Sequence, residues 1–349
     1  MRPRILCASI ATALAVGGAA RADTTLNFFG DLGYVVEHDD GVTNNTFQAA
    51  NFDVFATQTE GKFSFIGEMI IEAFGSNEFA MDLDRLEVSY KARPWLHFRA
   101  GRMRTAFGYY GDAYQNGKFF MTTVSWPELY EGDGFDGILP THSIGAHVDA
   151  SYGLGTDSGK LTADFEILNG RGTDVGEVSA FQDANNSKAI NLRLRYVGGG
   201  SLEGLVVGGN VYVDDIPADL EAADVHPAMH EVILGAHAAY VADRVHLIGE
   251  AAWFRHREHG TDTIHETISA FGEAGYAFGE YTPYTRFEYT HSSDVDPYFA
   301  SSGLPTDDLE LLSAGVKYTA SASVAFKLEV AADLGDSHRH ALAQAAFAF

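Results

Sequence analysis

Charged side chains recur at every second position of short apolar runs, and any chemistry in this chain would come from that spacing. Arg85, Glu87 and Lys91 alternate with Leu86, Val88 and Tyr90; Arg193 and Arg195 alternate with Leu192, Leu194 and Tyr196. A period of two sends successive side chains to opposite faces of a strand. Each run therefore has one charged and one apolar face. Arg85, Lys91, Arg99, Arg193, Arg195 and Arg286 form a basic set, and Glu68, Glu72, Glu87 and Glu288 an acidic one. Opposed across water, such rows would make a transverse field that tunes ion selectivity. Paired locally, they would simply solvate a wet interior.

The alternation lapses for almost forty residues after the strand Leu96 to Arg102 and resumes at His142. A stretch this long inside an ordered domain is usually functional or disordered. Here it is rich in aromatics and glycine, and it carries Arg104, Asp112, Lys118 and Glu128, with Arg102 at its threshold. It is expected to fold into the interior of a barrel and to set the width of a pore. The candidate constriction set is then Arg85, Glu87, Arg99, Arg102, Arg104, Asp112, Lys118, Glu128, Arg193, Arg195 and Arg286.

Histidines gather in the later loops. His256, His259 and His265, with Asp294 and Asp296 nearby, are candidate ligands for zinc, copper or nickel. No tight spacing such as His-Glu-x-x-His accompanies them, and solvated loop histidines are the simpler reading. Asp149 and His147 share a face but have no motif serine beside them. Gly-x-Ser-x-Gly is absent, as is a phosphate-cradling glycine loop before a helix. The expectation is a non-enzyme without cofactor.

The elements that must position these residues are strands. Residues 1–22 read as a secretory signal: Arg2 and Arg4, an apolar run from Ile5 to Val16, then Ala20-Arg21-Ala22. The one cysteine, Cys7, lies inside it, so residues 23–349 contain neither disulfide nor cysteine ligand. They read as one domain, since no linker or compositional break divides them. No later segment approaches the ~20 apolar residues of a transmembrane helix. About sixteen alternating runs follow instead, with Asp39 to Gln48 expected as a loop between the first two. Short connections such as Glu60–Lys62 and Arg93–Trp95 alternate with long ones such as Ile216–Met229. Bacterial barrels have short periplasmic turns and longer external loops, which predicts periplasmic termini and makes the long stretch the third external loop. Tyr152, Tyr196, Tyr240, Tyr276 and Tyr318 precede short turns, where an interfacial aromatic girdle belongs.

A soluble β-sandwich would alternate too, but its solvent face would be polar. Here the outward faces are apolar on nearly every run, and in lipid a sheet must close to pair its backbone. The expected fold is an all-β transmembrane antiparallel β-barrel of about sixteen strands with the third external loop in the lumen. The net charge of −25 argues against a nucleic-acid partner and favours cations at the surface.

The ending Phe347-Ala348-Phe349 resembles the C-terminal signal of bacterial outer-membrane barrels. The chain also resembles outer-membrane porins of the phosphate-selective O and P type. The resemblance is carried by Tyr90 with Phe98-Arg99-Ala100-Gly101-Arg102, by Phe107-Gly108-Tyr109-Tyr110 and by Gly137-Ile138-Leu139-Pro140-Thr141-His142, with Asn169-Gly170 and Lys188-Ala189 as looser matches. It implies a passive diffusion channel in the outer membrane, surrounded by lipid and lipopolysaccharide, passing small hydrophilic solutes, and often a homotrimer. The long loop here mixes its basic residues with Asp112, Glu128, Glu131, Asp133 and Asp136, so phosphate selectivity is not carried over. The second external loop is very short for a trimeric porin. The alternative is a non-channel barrel serving as scaffold, adhesin or sheath for a partner, with a metal-binding histidine rim.

Overall fold

The computed structural model describes residues 23–39, 41–74, 78–114, 117–130, 137–155, 157–173, 175, 185–219, 226–301 and 308–349. The expected signal segment 1–22 lies outside them, as do the acidic loop residues Glu131, Asp133 and Asp136. The first eight strands are β1 (Asp23–Asp39), β2 (Val42–Glu60), β3 (Phe63–Phe74), β4 (Glu78–Arg93), β5 (Leu96–Arg104), β6 (His142–Gly153), β7 (Lys160–Leu168) and β8 (Ala189–Val197). The rest are β9 (Leu205–Ile216), β10 (Met229–Ala242), β11 (Val245–Glu258), β12 (Ile264–Tyr276), β13 (Tyr281–Ser292), β14 (Leu309–Thr319), β15 (Val324–Asp333) and β16 (Arg339–Ala348). Among the described residues two one-turn α-helices sit in loops, α1 (Tyr110–Tyr114) between β5 and β6 and α2 (Pro297–Ser301) between β13 and β14.

Each strand pairs antiparallel with its neighbours in sequence, and β16 returns to β1, giving a closed barrel of sixteen strands. At the seam Phe28 and Phe349 exchange backbone hydrogen bonds of 2.7 and 2.8 Å. Closure removes the edges whose unpaired N–H and C=O groups lipid could not satisfy.

Burial is inverted relative to a water-soluble protein. Leu26, Leu32, Phe65, Leu86, Leu194 and Leu312 are exposed on the outside. Glu68, Glu166, Arg193, Glu231, Glu288 and Lys327 are each no more than 2% exposed inside. The period-two pattern explains both, because one register fixes every side chain of a strand to its face. Tyr152, Tyr240 and Tyr276 are exposed at the barrel end that carries the chain termini. No helix among the described residues is long and apolar enough to cross a membrane.

The expected loop from Asp39 to Gln48 is a hairpin instead, for β2 begins at Val42. Threonine and asparagine made this stretch look loop-like, but cross-strand pairs hold it as sheet. Tyr34 packs on Phe47 with ring centroids 4.7 Å apart and donates its hydroxyl to Asn45 at 3.1 Å, while His38 bonds Thr43 at 2.8 Å. Gly41, with φ of 79°, permits the tight reversal.

Gly101 is where β5 leaves the alternation. Its φ is 130°, and a Cβ there would lie 2.0 Å from the backbone oxygen of Leu86. Beyond it Arg102 and Met103 are both buried, which period two forbids in a regular strand. The kink turns the chain inward at the neck of the long loop. Gly101→Ala should therefore destabilise the barrel by roughly 1–3 kcal/mol through backbone strain, read as a lower urea midpoint in detergent. Gly67→Ala, where a Cβ meets nothing within 4 Å, should stay within about 0.5 kcal/mol of the parent.

Candidate functional site

The stretch between β5 and β6 folds into the lumen, and its backbone is held by charges on the wall. Its neck is closed by the Thr105 N–H donating to the Thr141 carbonyl at 2.9 Å. Ala106 follows, its N–H donating to Glu166 at 2.9 Å and its carbonyl accepting from Asn191 at 3.0 Å. Arg193 donates to the carbonyls of Phe107 and Gly108 at 3.3 and 3.0 Å. Glu250 then accepts from the N–H groups of Tyr109 and Tyr110 at 2.8 and 2.6 Å and from the Tyr130 hydroxyl at 2.6 Å. Gly108, with φ of 47°, lets the chain come this close, since a Cβ would sit 2.0 Å from the Glu250 carboxylate. Burial, then the Glu250 charge, pushes the Tyr130 hydroxyl well above the usual phenol range, so it remains a donor.

The far wall repeats the device. Glu329 accepts from the N–H groups of Val124 and Ser125 at 3.0 and 3.2 Å. Arg286 donates to the carbonyls of Ser125 and Trp126 at 2.8 and 3.0 Å, and Glu288 accepts the Glu128 N–H at 2.6 Å. Lys317 reaches the Phe119 carbonyl at 2.6 Å, and Lys327 those of Lys118 and Thr123. Apolar packing adds to this, with Phe107 against Tyr212 and Tyr110 against Phe271, both 5.5 Å between centroids.

A cavity of about 250 Å³ beside the loop gathers Arg85, Arg99, Arg104, Arg193 and Arg195 with Glu87, Asp112 and His147. Arg85 pairs with Glu68 and lies over the Phe55 ring. Arg104 reaches Glu68 and Asp84 at 3.3 and 3.5 Å. Arg99 pairs with Asp149 at 3.1 Å, and Glu87 accepts from Ser89 at 2.8 Å. Asp112, presented by α1, meets Arg193 at 2.9 Å and Arg195 at 2.6 Å. Arg102 points elsewhere, to the Asp84 carbonyl at 3.0 Å and to Asp82 at 3.0 Å. Lys118, Glu128 and Arg286 belong to the far side of the loop.

Of the two readings the sequence left open, opposed rows or local pairing, the described charges follow local pairing. Glu68 pairs with arginines of its own wall, and Glu288 with Arg286 two residues away at 2.8 Å. The side chain of Glu72 lies outside the described residues. Alternation names the face of a charge but not its partner, and neighbouring strands bring opposite charges together before the lumen can.

A second buried network lies above the loop. Arg171 donates to Glu231 at 3.0 Å and to the Ile138 carbonyl at 2.5 Å. His256 bridges Glu231 at 3.0 Å and Asp296 at 2.6 Å. Tyr298 of α2 is fully buried beside them. Burial alone would raise the Asp296 carboxyl, but the His256 imidazole holds it below its usual range.

This arrangement separates the expected histidine set. His256 is spoken for, His265 pairs with Glu258 and Asp294 at 3.1 and 3.2 Å, and His259 faces Asp215 at 3.4 Å. Among the described residues no group of three His, Cys, Asp or Glu side chains could hold a metal ion. Nor do Asp149 and His147 form a dyad. Asp149 bonds His97 at 2.8 Å, and His147 meets Asp164 and Glu166 at 3.1 and 3.0 Å.

Period-two alternation puts Glu250, Glu329, Lys317 and Lys327 on inner faces of their runs, but nothing in it marks them as anchors of the loop. It missed Arg171 altogether. A charge on an inward position opposite a long aromatic-rich loop is the signal that could have found the anchors.

No protein-family model matches the chain, and no curated protein does. Solved structures do. An anion-selective porin from Comamonas acidovorans is similar over 94% of this chain and 100% of its own, with 12% identity and a TM-score of 0.63. OmpF of Salmonella typhi, in complex with daunomycin, is similar over 93% and 97%, with 13% identity and a TM-score of 0.62. OmpT of Vibrio cholerae, an outer-membrane protein, is similar over 95% and 99%, with 11% identity and a TM-score of 0.59. At such identity the likeness is one of fold: the chain has the fold of outer-membrane porins.

Glu250→Ala should leave three donors of the loop without an acceptor, the buried ones of Tyr110 and Tyr130 at roughly 1–3 kcal/mol each. The expected outcome is faster chymotryptic cleavage at Tyr109, Tyr110 or Tyr130 in an otherwise intact barrel. Asp296 has a lowered folded-state pKa, so its link to His256 stabilises α2 above the ordinary carboxylate range and is lost on acidification. Hydrogen-exchange protection of the Tyr298 amide, which donates to Asp296 at 3.0 Å, should hold down to about pH 4 and fall below it.

Proposed function

We propose that this chain is an outer-membrane porin, a passive water-filled diffusion channel for small hydrophilic solutes. One observation carries the reading: a loop is docked across the lumen by wall charges, leaving beside it a cavity lined by five arginines and Asp112. Irregular backbone at membrane depth is tolerated where it lines a wet cavity or is buried in protein. A non-enzymatic role agrees with this site, whose charges pair with one another and with the loop rather than converging on a nucleophile. Residues 1–22 would direct the chain out of the cytoplasm, the termini would face the periplasm, and outer-membrane lipid and lipopolysaccharide would bathe the apolar exterior. We include a homotrimer in the proposal, as one form of the Vibrio cholerae OmpT is a trimer.

Selectivity in this reading is local. The surface as a whole is acidic, yet a permeating ion beside the loop meets guanidinium groups, moderated by Asp112 and Glu87. The cavity favours small anions more than the net charge suggests.

A closed scaffold barrel is the second reading. It is favoured by the apolar cluster of Phe107, Tyr110, Tyr130, Phe254, Tyr298 and Phe299 that fills part of the lumen.

The deciding test is planar-bilayer conductance of refolded protein, with the reversal potential measured in a salt gradient. Stable unitary currents are expected, and deleting residues 111–131 should raise them. Silence from a folded barrel would favour the scaffold. Asp112→Asn removes a carboxylate from between Arg193 and Arg195, and should shift the reversal potential towards anion preference.

A further inference from the structure

The arginines of the 250 Å³ cavity differ in what neutralises them. Arg85 and Arg104 meet Glu68, Arg99 meets Asp149, and Arg193 meets Asp164, all carboxylates of the wall. Strand register fixes those acids, whose side chains are 0%, 24% and 2% exposed. Asp112 comes instead from the inserted loop, on α1, and its side chain is 39% exposed. Both of its contacts, 2.9 Å to Arg193 and 2.6 Å to Arg195, fall on the single oxygen Oδ2. Among the described residues its other oxygen has no hydrogen-bond donor.

The clamp does not depend on this occupant. Without Asp112, Arg193 still holds Asp164 at 3.0 Å and the carbonyls of Phe107 and Gly108. Arg195 still faces Asp164 at 3.4 Å, and its stem is packed, since a Cβ on Gly208 would lie 2.6 Å from Arg195 Cγ. α1 is held separately, by Glu250 on the Tyr110 N–H and by the Tyr110 ring on Phe271. A preformed pair of guanidinium forks binds a carboxylate at low ordering cost, and one carboxylate is already seated there. A part-exposed ion pair contributes little, so a dissolved carboxylate can exchange with it. The cavity volume of about 250 Å³ admits only a small one.

We propose that Arg193 and Arg195 form a binding site for small carboxylate anions, and that Asp112 is a tethered stand-in which the solute displaces. The site deepens the channel reading and rests on it, because the solute must reach the lumen. The resident group sets the chemical class, a carboxylate rather than a halide. The loop thereby carries its own competitor, at an effective concentration on the order of mM. That competition keeps the site weak enough to release what it binds.

The test is isothermal titration of the full chain, folded in detergent, with malonate as the probe and malonamide as its uncharged counterpart. Saturable heat from malonate alone is expected. Asp112→Asn should tighten malonate binding at least about threefold, because the competitor is gone. Arg195→Gln should weaken it at least about tenfold, and in that background most of the gain from Asp112→Asn should vanish, since the exchange needs both partners. Equal heat from malonamide, no saturable heat from malonate, or unchanged affinity in folded Asp112→Asn would overturn the proposal. So would a gain that persists in full without Arg195, or tighter binding of inorganic phosphate than of malonate. Should Arg195→Gln not fold, the parent and Asp112→Asn still decide it. The heat is read without current, so a silent bilayer with malonate bound defeats the channel reading alone. A conducting barrel that ignores malonate defeats the carboxylate site alone.

Discussion

The arrangement rests on one constraint: irregular backbone placed inside a membrane-spanning barrel must find hydrogen-bond partners there. Among its described residues, the loop between β5 and β6 has little regular structure to satisfy itself beyond the single turn of α1 and a short 3-10 turn at Glu128–Tyr130. Its N–H groups are met by Glu166, Glu250, Glu288 and Glu329, and its carbonyls by Asn191, Arg193, Arg286, Lys317 and Lys327. The wall charges act as a substitute for water. Buried charges are tolerable because each is paired or bonded, as Arg286 is with Glu288 and the loop carbonyls at once.

The same constraint divides the interior. Seating the loop against both β8 and β13 to β15 leaves unlike spaces on its two sides, one rich in guanidinium groups and one lined by Asp31, Glu37, Glu128 and Asp333 together with Lys118. Neither sign is evident from a net charge of −25, because the charges that matter are those left facing a cavity after pairing. Asp112 illustrates this. Taken alone it reads as an acidic loop residue, but between Arg193 and Arg195 it trims a basic surface.

Much of the fold was legible in the residues. Alternation located sixteen strands, their faces and the third external loop, since period two is a backbone property that lipid outside and water inside make unambiguous. Where local pairing overrides composition, legibility failed. The polar run Thr43 to Thr46 became strand because Tyr34 and His38 pair across to it. Partnership was harder still to read. His256 looked like a metal ligand by type and by loop position, yet Glu231 from β10 and Asp296 from the α2 loop close on it, and neither is near it in sequence. Gly101 showed nothing unusual in the sequence, although its positive φ aims the whole loop inward.

The anchors of the loop have a consequence for how the chain acquires its shape. Tyr110 waits for Glu250, and Val124 waits for Glu329, partners 140 and 205 positions further on. The seam between β1 and β16 is more remote still. Contacts of such separation form slowly, because loop-closure entropy precedes their reward. The narrow part of the lumen is thus assembled among the last features of folding, after the wall is nearly whole. Until then the aromatic loop has to remain hydrated or shielded, and it is the segment a holding chaperone would have most reason to cover.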